Sequence, residues 1–122
     1  MKRRETGILG EKIACDFLAK NGYEIIETNY RCRDGEVDII AKQQGMLVFI
    51  EVRTKKSLQF GSPEESITQI KKERLKAVAD HYGQNHENLP PEWRIDVVAI
   101  QMDSSGKVSR IEIIENAVED VS

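Results

Sequence analysis

Two segments of β-strand character, residues 36–43 and 46–53, flank Gln44-Gly45, and this short connection constrains the chain more than any other feature. Both segments are rich in Val, Ile and Phe, and a two-residue turn between them imposes antiparallel pairing. Gln43 then faces Met46, and counting back sets Ile40 opposite Phe49, Asp38 opposite Glu51 and Glu36 opposite Arg53. Side chains alternate between the faces of a strand. One face is therefore Val37, Ile39, Ala41, Val48, Ile50 and Val52, an apolar core face. The other carries Glu36, Asp38, Ile40, Phe49, Glu51, Arg53 and Lys55. Acids directly opposite on a sheet, with Cβ atoms about 4.5–5.5 Å apart, destabilise it. Ile40 and Phe49 on the same face predict partial burial, which weakens the screening that a solvated edge would give. A divalent cation held by carboxylate oxygens is the simplest counterion.

The rest of the chain frames this hairpin. Residues 1–5 read as a frayed basic arm, and Thr6 as the cap of a helix to about Asn21, with Leu9, Ile13 and Phe17 on one stripe and Gly22 as its stop. A first strand covers Tyr23 to Arg31, and Asp34-Gly35 turns into the acidic strand. Ser62-Pro63-Glu64-Glu65 has the form of a helix start, predicting a helix to about Tyr82 in which Lys71 interrupts the apolar stripe. Strands follow over Trp93–Met102 and Val108–Ile114, joined by Ser104-Ser105-Gly106. The order α-β-β-β-α-β-β predicts a three-strand meander and a helical crossover back to the same mixed sheet, an α/β fold.

At 122 residues the chain suits a single domain, 1–122. No apolar run is long enough for a membrane span and no signal-peptide stretch opens the chain, so no membrane association is expected. Cys15 and Cys32 are the only cysteines and lack metal-ligand spacing, which fits a reducing compartment and predicts a cytoplasmic location. The net charge of −3 argues against a broad nucleic-acid-binding surface, but residues 1–60 hold 11 Lys/Arg against 9 Asp/Glu while residues 61–122 hold 7 against 12. A local phosphate site in the first half stays compatible with this balance.

Paired carboxylates with adjacent cations suit metal-assisted phosphodiester cleavage, which must stabilise charge growing on a phosphorane. Arg53 and Lys55 share the face of Glu51; Lys55 can give up a proton, whereas Arg53 can only bind and stabilise. Glu11 reads first as a solvent-facing helix glutamate, although its stripe borders the apolar one. Glu36 either pairs with Arg53 or orients it. His81 and His86 have no ligand spacing around them and read as surface residues, Asp96 is an acid without an evident purpose, and Lys72 belongs to a basic helical run that can reach phosphate. No Gly-rich phosphate loop, nucleophile elbow or CxxC motif is present, so nucleotide-binding and acyl-transfer classes lack support.

The runs Gly35-Glu36-Val37-Asp38-Ile39-Ile40-Ala41 and Val48-Phe49-Ile50-Glu51-Val52-Arg53 resemble the PD-(D/E)xK nuclease superfamily. With Gly10-Glu11-Lys12-Ile13-Ala14, Asn21-Gly22-Tyr23, Asn29-Tyr30-Arg31, Phe60-Gly61-Ser62-Pro63 and Trp93-Arg94-Ile95-Asp96-Val97-Val98-Ala99, the chain more closely resembles the UPF0102 (YraN-like) family over about residues 7–100. The resemblance implies a restriction-endonuclease-like fold related to archaeal Holliday-junction resolvases. It implies Asp38 and Glu51 as ligands of Mg2+ or Mn2+, and raises Glu11 to a third ligand. Arg53 stands where the superfamily usually has lysine, with Lys55 two residues later able to reach back. The function so implied is metal-dependent endonuclease action on DNA, branched or damaged DNA in recombination or repair included, with Asp38, Glu51, Arg53 and Lys55 catalytic and Arg31, Arg53, Lys55 and Lys72 on the nucleic acid. Resolvases of this fold act as two-fold dimers, which makes a homodimer an expected form. The alternative is a non-catalytic nucleic-acid-binding or repair-adaptor module on a nuclease scaffold.

Overall fold

The computed structural model describes residues 3–56 and 61–118. Helix α1 spans Arg3–Lys20 and leads into strands β1 (Glu24–Cys32), β2 (Gly35–Gln43) and β3 (Met46–Lys55). A 3-10 turn at Glu64–Ser66 precedes helix α2 (Gln69–Asn85), and strands β4 (Trp93–Met102) and β5 (Val108–Ile114) close the chain. The five strands lie in the order β1-β2-β3-β4-β5, antiparallel except for the parallel pair β3 and β4 on either side of the helical crossover. This is the mixed α/β sheet expected from the element order, with the restriction-endonuclease-like fold that the resemblance implies.

Three local expectations change. The first helix starts at Arg3, so Thr6 lies inside it and Arg3 to Glu5 are helical rather than frayed; Glu5 in the first turn suits the positive end of the helix dipole. The other end of the basic arm, residues 1 and 2, lies outside the described residues. The second helix starts at Gln69, because the Thr68 hydroxyl accepts the Lys71 N–H at 3.1 Å while Ile67 is extended. Ser62 instead donates to the Glu65 carboxylate at 2.8 Å around the 3-10 turn. Arg110 on β5 grips that turn through Glu64 at 2.6 Å, holding the Glu64 carboxyl down at about 2. Phe60, one of the residues carrying the family resemblance, lies outside the described residues.

Both faces of the sheet are covered, which is why β3 and β4 carry unbroken apolar runs instead of alternating ones. On the α1 side, Ala14 and Leu18 pack on Ile39, Ala41, Val48, Ile50, Val98 and Ile100. On the α2 side, Leu75, Val78 and Tyr82 pack on Val37, Ile40, Phe49 and Ile95. Val37 thus belongs to the opposite face from the one strict alternation gives it. Alternation fails there because the β2–β3 ladder runs only from Gln43–Met46 to Ile39–Ile50, and Asn29 on the neighbouring strand takes a left-handed φ of 56°. The departure lies at the residue before Asp38, so it shapes the site itself.

Helix α1 comes unusually close to the sheet at Gly10, where a Cβ would stand 2.1 Å from Thr54 Oγ1 and 3.2 Å from Thr54 Cβ. Thr54 is short and β-branched and cannot swing clear. Gly10→Ala is therefore expected to cost about 1–3 kcal/mol through overpacking, measurable as a lowered denaturant midpoint at unchanged m-value. An unchanged midpoint would show that the helix can lift without penalty.

Asp96 acquires a purpose in the core. It is fully buried, accepts from Tyr23 Oη at 2.8 Å, from Arg94 Nε at 2.9 Å and from the Asn116 N–H at 2.9 Å. Arg94 also donates to Gln43 beside the hairpin turn. Every lone-pair direction that matters is used, and this is the condition under which a buried carboxylate is tolerated. Burial and the Asp96 carboxylate push the Tyr23 phenol up to about 12.

Candidate metal and phosphate site

Where the β2–β3 ladder stops, the Asp38 carboxylate takes over: its Oδ2 accepts the Val52 N–H at 2.8 Å. A side chain therefore fills the place of a strand backbone. The hairpin pairs Gln43 with Met46 and Ile40 with Phe49, as the two-residue turn requires. Beyond its last pair, Ile39–Ile50, the Asp38 and Glu51 carboxyl groups stay close enough for Asp38 to act on Glu51 by charge and hydrogen bonding.

Glu51 is almost fully buried, with its side chain 5% exposed. Burial, the Asp38 charge and the Asp38 hydrogen bond drive its carboxyl up from 4.5 to about 8, against the opposing pull of Lys71 and Arg53. Arg53 Nη2 lies 2.8 Å and Lys71 Nζ 3.7 Å from Glu51 Oε2. A buried carboxyl next to a second carboxylate ionises more readily when further positive charge is near. A hard divalent cation suits an all-oxygen donor set of this kind.

Glu11 approaches the acid pair from the α1 side, although the three carboxylates do not all come within 4.8 Å of one another. The close seat of Gly10 on β3 sets its position, and Asn29 Nδ2 donates to Glu11 Oε1 at 2.7 Å. Burial raises the Glu11 carboxyl, the Asn29 bond opposes this, and the charges of Asp38 and Glu36 raise it further. Glu11 is thus half-buried and turned towards β1 through Asn29.

The cations distribute differently from the cross-strand count. Glu36 pairs with Arg31 at 3.0 Å on an exposed surface, which leaves Arg53 to Glu51. The Nε of Arg53 is buried with no acceptor among the described residues. Lys55 follows on the same face, opposite Gln101 of β4 in an unbroken register. Gln101 is itself buried, and its Oε1 has no partner among the described residues. The α2 lysine at the acid pair is Lys71, which the sequence offers as a break in an apolar stripe and as part of a basic run, whereas Lys72, the one expected to reach phosphate, sits one position further along the helix. A buried glutamate one helix crossover away was the missing signal, and only the fold supplies it. Lys71 also lines an open cleft of about 520 Å³ together with Arg31, Arg33, Asp34, Glu36 and Arg74.

His86 stacks on Tyr82 at 3.8 Å between ring centroids and bonds through Nδ1 to the Tyr82 carbonyl at 2.9 Å, a structural role. Among the described residues no helix is long and apolar enough to cross a membrane.

The class defined by this fold and site is a restriction-endonuclease-like α/β protein with a buried acid pair flanked by cations. Residues 10–100 match the family described as "Uncharacterised protein family UPF0102", and the chain belongs to that family. A UPF0102 protein of Caldicellulosiruptor saccharolyticus is 46% identical over 117 residues, covering 96% of this chain and 99% of its own. Another, from Dehalococcoides mccartyi, is 48% identical over 118 residues, with 95% and 94% covered, and one from Moorella thermoacetica is 44% identical over 117 residues, with 96% and 98% covered.

Proposed function

We propose that this chain is a Mg2+- or Mn2+-dependent endonuclease of the PD-(D/E)xK type acting on DNA in the cytoplasm, with branched or damaged DNA of recombination and repair as its substrates. The observation that carries this reading is the buried Glu51 beside the half-buried Asp38, with Arg53 and Lys71 against Glu51. Asp38, Glu51 and Glu11 would hold the cation. When bound, it would polarise the scissile phosphate and acidify a water. Glu51 would bind such a cation as the carboxylate, beside Asp38. The acceptor-free Nε of Arg53 is a donor left for a phosphate oxygen. Lys55, two positions along the same face, would supply a second cation to the site. Arg31, Lys71 and Arg74 in the cleft would track the DNA backbone, with Lys72 beside them on α2. On a symmetric junction two cuts need two copies, so a homodimer is the form expected to act there.

One observation favours a second reading. Arg53 occupies the usual lysine position and is spent on Glu51, so the site could bind phosphate without cleaving it, as a nucleic-acid-binding or repair-adaptor module would. The purified chain should be incubated with supercoiled, linear, nicked and four-way-junction DNA, with Mg2+ or Mn2+ and with chelator. Cation-dependent nicking that chelator abolishes supports the enzyme. Chelator-insensitive binding to these substrates, with none of them cut, supports the module.

A further inference from the structure

We propose a second metal site, built by Cys32, Asp34 and His81, that takes a borderline-soft divalent cation of the Zn2+ class. Cys32 ends β1, Asp34 lies in the turn to β2, and His81 comes from α2. The Sγ, a carboxylate oxygen and a ring nitrogen all lie within 4.8 Å of one another, and His81 Nδ1 is 3.7 Å from Asp34 Oδ2. Metal–ligand bonds of about 2.0–2.3 Å place tetrahedral ligand atoms roughly 3.3–3.8 Å apart. The His–Asp pair already has that spacing, and modest side-chain rotation brings in the thiol.

The chemistry of the donors separates this site from the acid pair. A thiolate and an imidazole select Zn2+ and its neighbours over Mg2+ or Mn2+, which the all-carboxylate site suits. Thiolate, carboxylate and neutral imidazole carry two negative charges, matching a divalent cation. Binding breaks the Cys32 S–H bond, forms a metal–sulfur bond and releases one proton to solvent. Arg31, the next residue before Cys32, is already neutralised by Glu36, while Arg33 and Arg74 stand along the cleft wall.

The frame is rigid where it needs to be. Gly35 has a φ of 140°, a conformation that other residues rarely adopt, and sits against α2: a Cβ there would be 3.5 Å from Val78 Cγ2 and 3.8 Å from Arg74 Cβ. The turn carrying Cys32 and Asp34 is thereby seated on the helix that carries His81 one turn after Val78. All three ligands are half-buried, and Cys32 and Asp34 line the 520 Å³ cleft, so a fourth coordination position opens towards it. The bound ion would clamp the wall of that cleft to α2.

The test uses the full-length, reduced, metal-free chain with Co2+ as a spectroscopic probe and Zn2+ as competitor. Wild type is expected to bind one Co2+ with a thiolate-to-cobalt charge-transfer band that Zn2+ displaces. The band should be lost in Cys32→Ser and retained in Cys15→Ser. It should also persist in an Asp38→Asn/Glu51→Gln double variant, which removes the hard-cation site. His81→Gln should weaken binding by at least about tenfold, the smallest loss that even an outer partner of a metal ligand carries. Circular dichroism of each variant checks that the fold is kept. Absence of the band in wild type, its survival in folded Cys32→Ser, or unaltered affinity in folded His81→Gln would overturn the assignment.

Discussion

Asp38→Ala and Glu51→Ala are each expected to lower Mn2+-dependent DNA cleavage by about a thousandfold or more. Metal-ion assistance contributes several kcal/mol of transition-state stabilisation, and each ~1.4 kcal/mol is a factor of ten in rate. The two substitutions differ in their structural cost. Asp38 Oδ2 accepts the Val52 N–H, so Asp38→Ala strands a partly buried donor at a penalty of roughly 1–3 kcal/mol. Asp38→Asn keeps an oxygen for Val52 and removes only the charge, so it is the variant that separates chemistry from folding. Cleavage rates are read on purified proteins alongside their thermal melts. A folded Asp38→Asn variant that cuts as fast as wild type would remove Asp38 from the site.

The second large effect is on stability against pH. Glu51 has its carboxyl raised from 4.5 to about 8 by burial, by the Asp38 charge and by the Asp38 hydrogen bond. Below pH 4.5 the group is protonated in folded and unfolded chains alike. Between pH 4.5 and 8 the unfolded chain gives up this proton and the folded chain keeps it, so stability falls as pH rises through the window. The total loss is on the order of a few kcal/mol in the metal-free protein. Glu51→Gln, which cannot ionise, should flatten this segment of the curve and melt above wild type at pH 8. Mg2+ or Mn2+ should restore stability to wild type at high pH and leave the Gln variant unmoved. Urea titrations at a series of pH values decide the matter: parallel curves for the two proteins would mean that Glu51 does not carry the buried proton.

The close meeting of these acids was legible because a two-residue turn leaves one register, and register fixes which side chains are opposite. Gln43–Met46 and Ile40–Phe49 follow from counting alone. Counting fails beyond Ile39–Ile50, where the ladder ends, the Asp38 carboxylate replaces a backbone acceptor and Val37 packs on the other face. No periodicity announces that exchange, since strand patterns assume an unbroken ladder. Helix boundaries were misread for a similar reason. Ser62-x-x-Glu65 has the composition of a capping box, yet the two side chains bond each other, and Thr68 takes the N–H that sets the true start.

The sequence by itself determined the order of elements and the hairpin register from Gln43–Met46 to Ile39–Ile50, because each depends on residues near one another along the chain. Only the tertiary structure decided the partners brought in from afar. Lys71 reaches Glu51, Asn29 holds Glu11, and His81 on α2 meets Cys32 at the end of β1 and Asp34 in the turn. Local spacing cannot encode these meetings. They are set by where the crossover helix lands on the sheet, and that depends on how the whole of both faces packs.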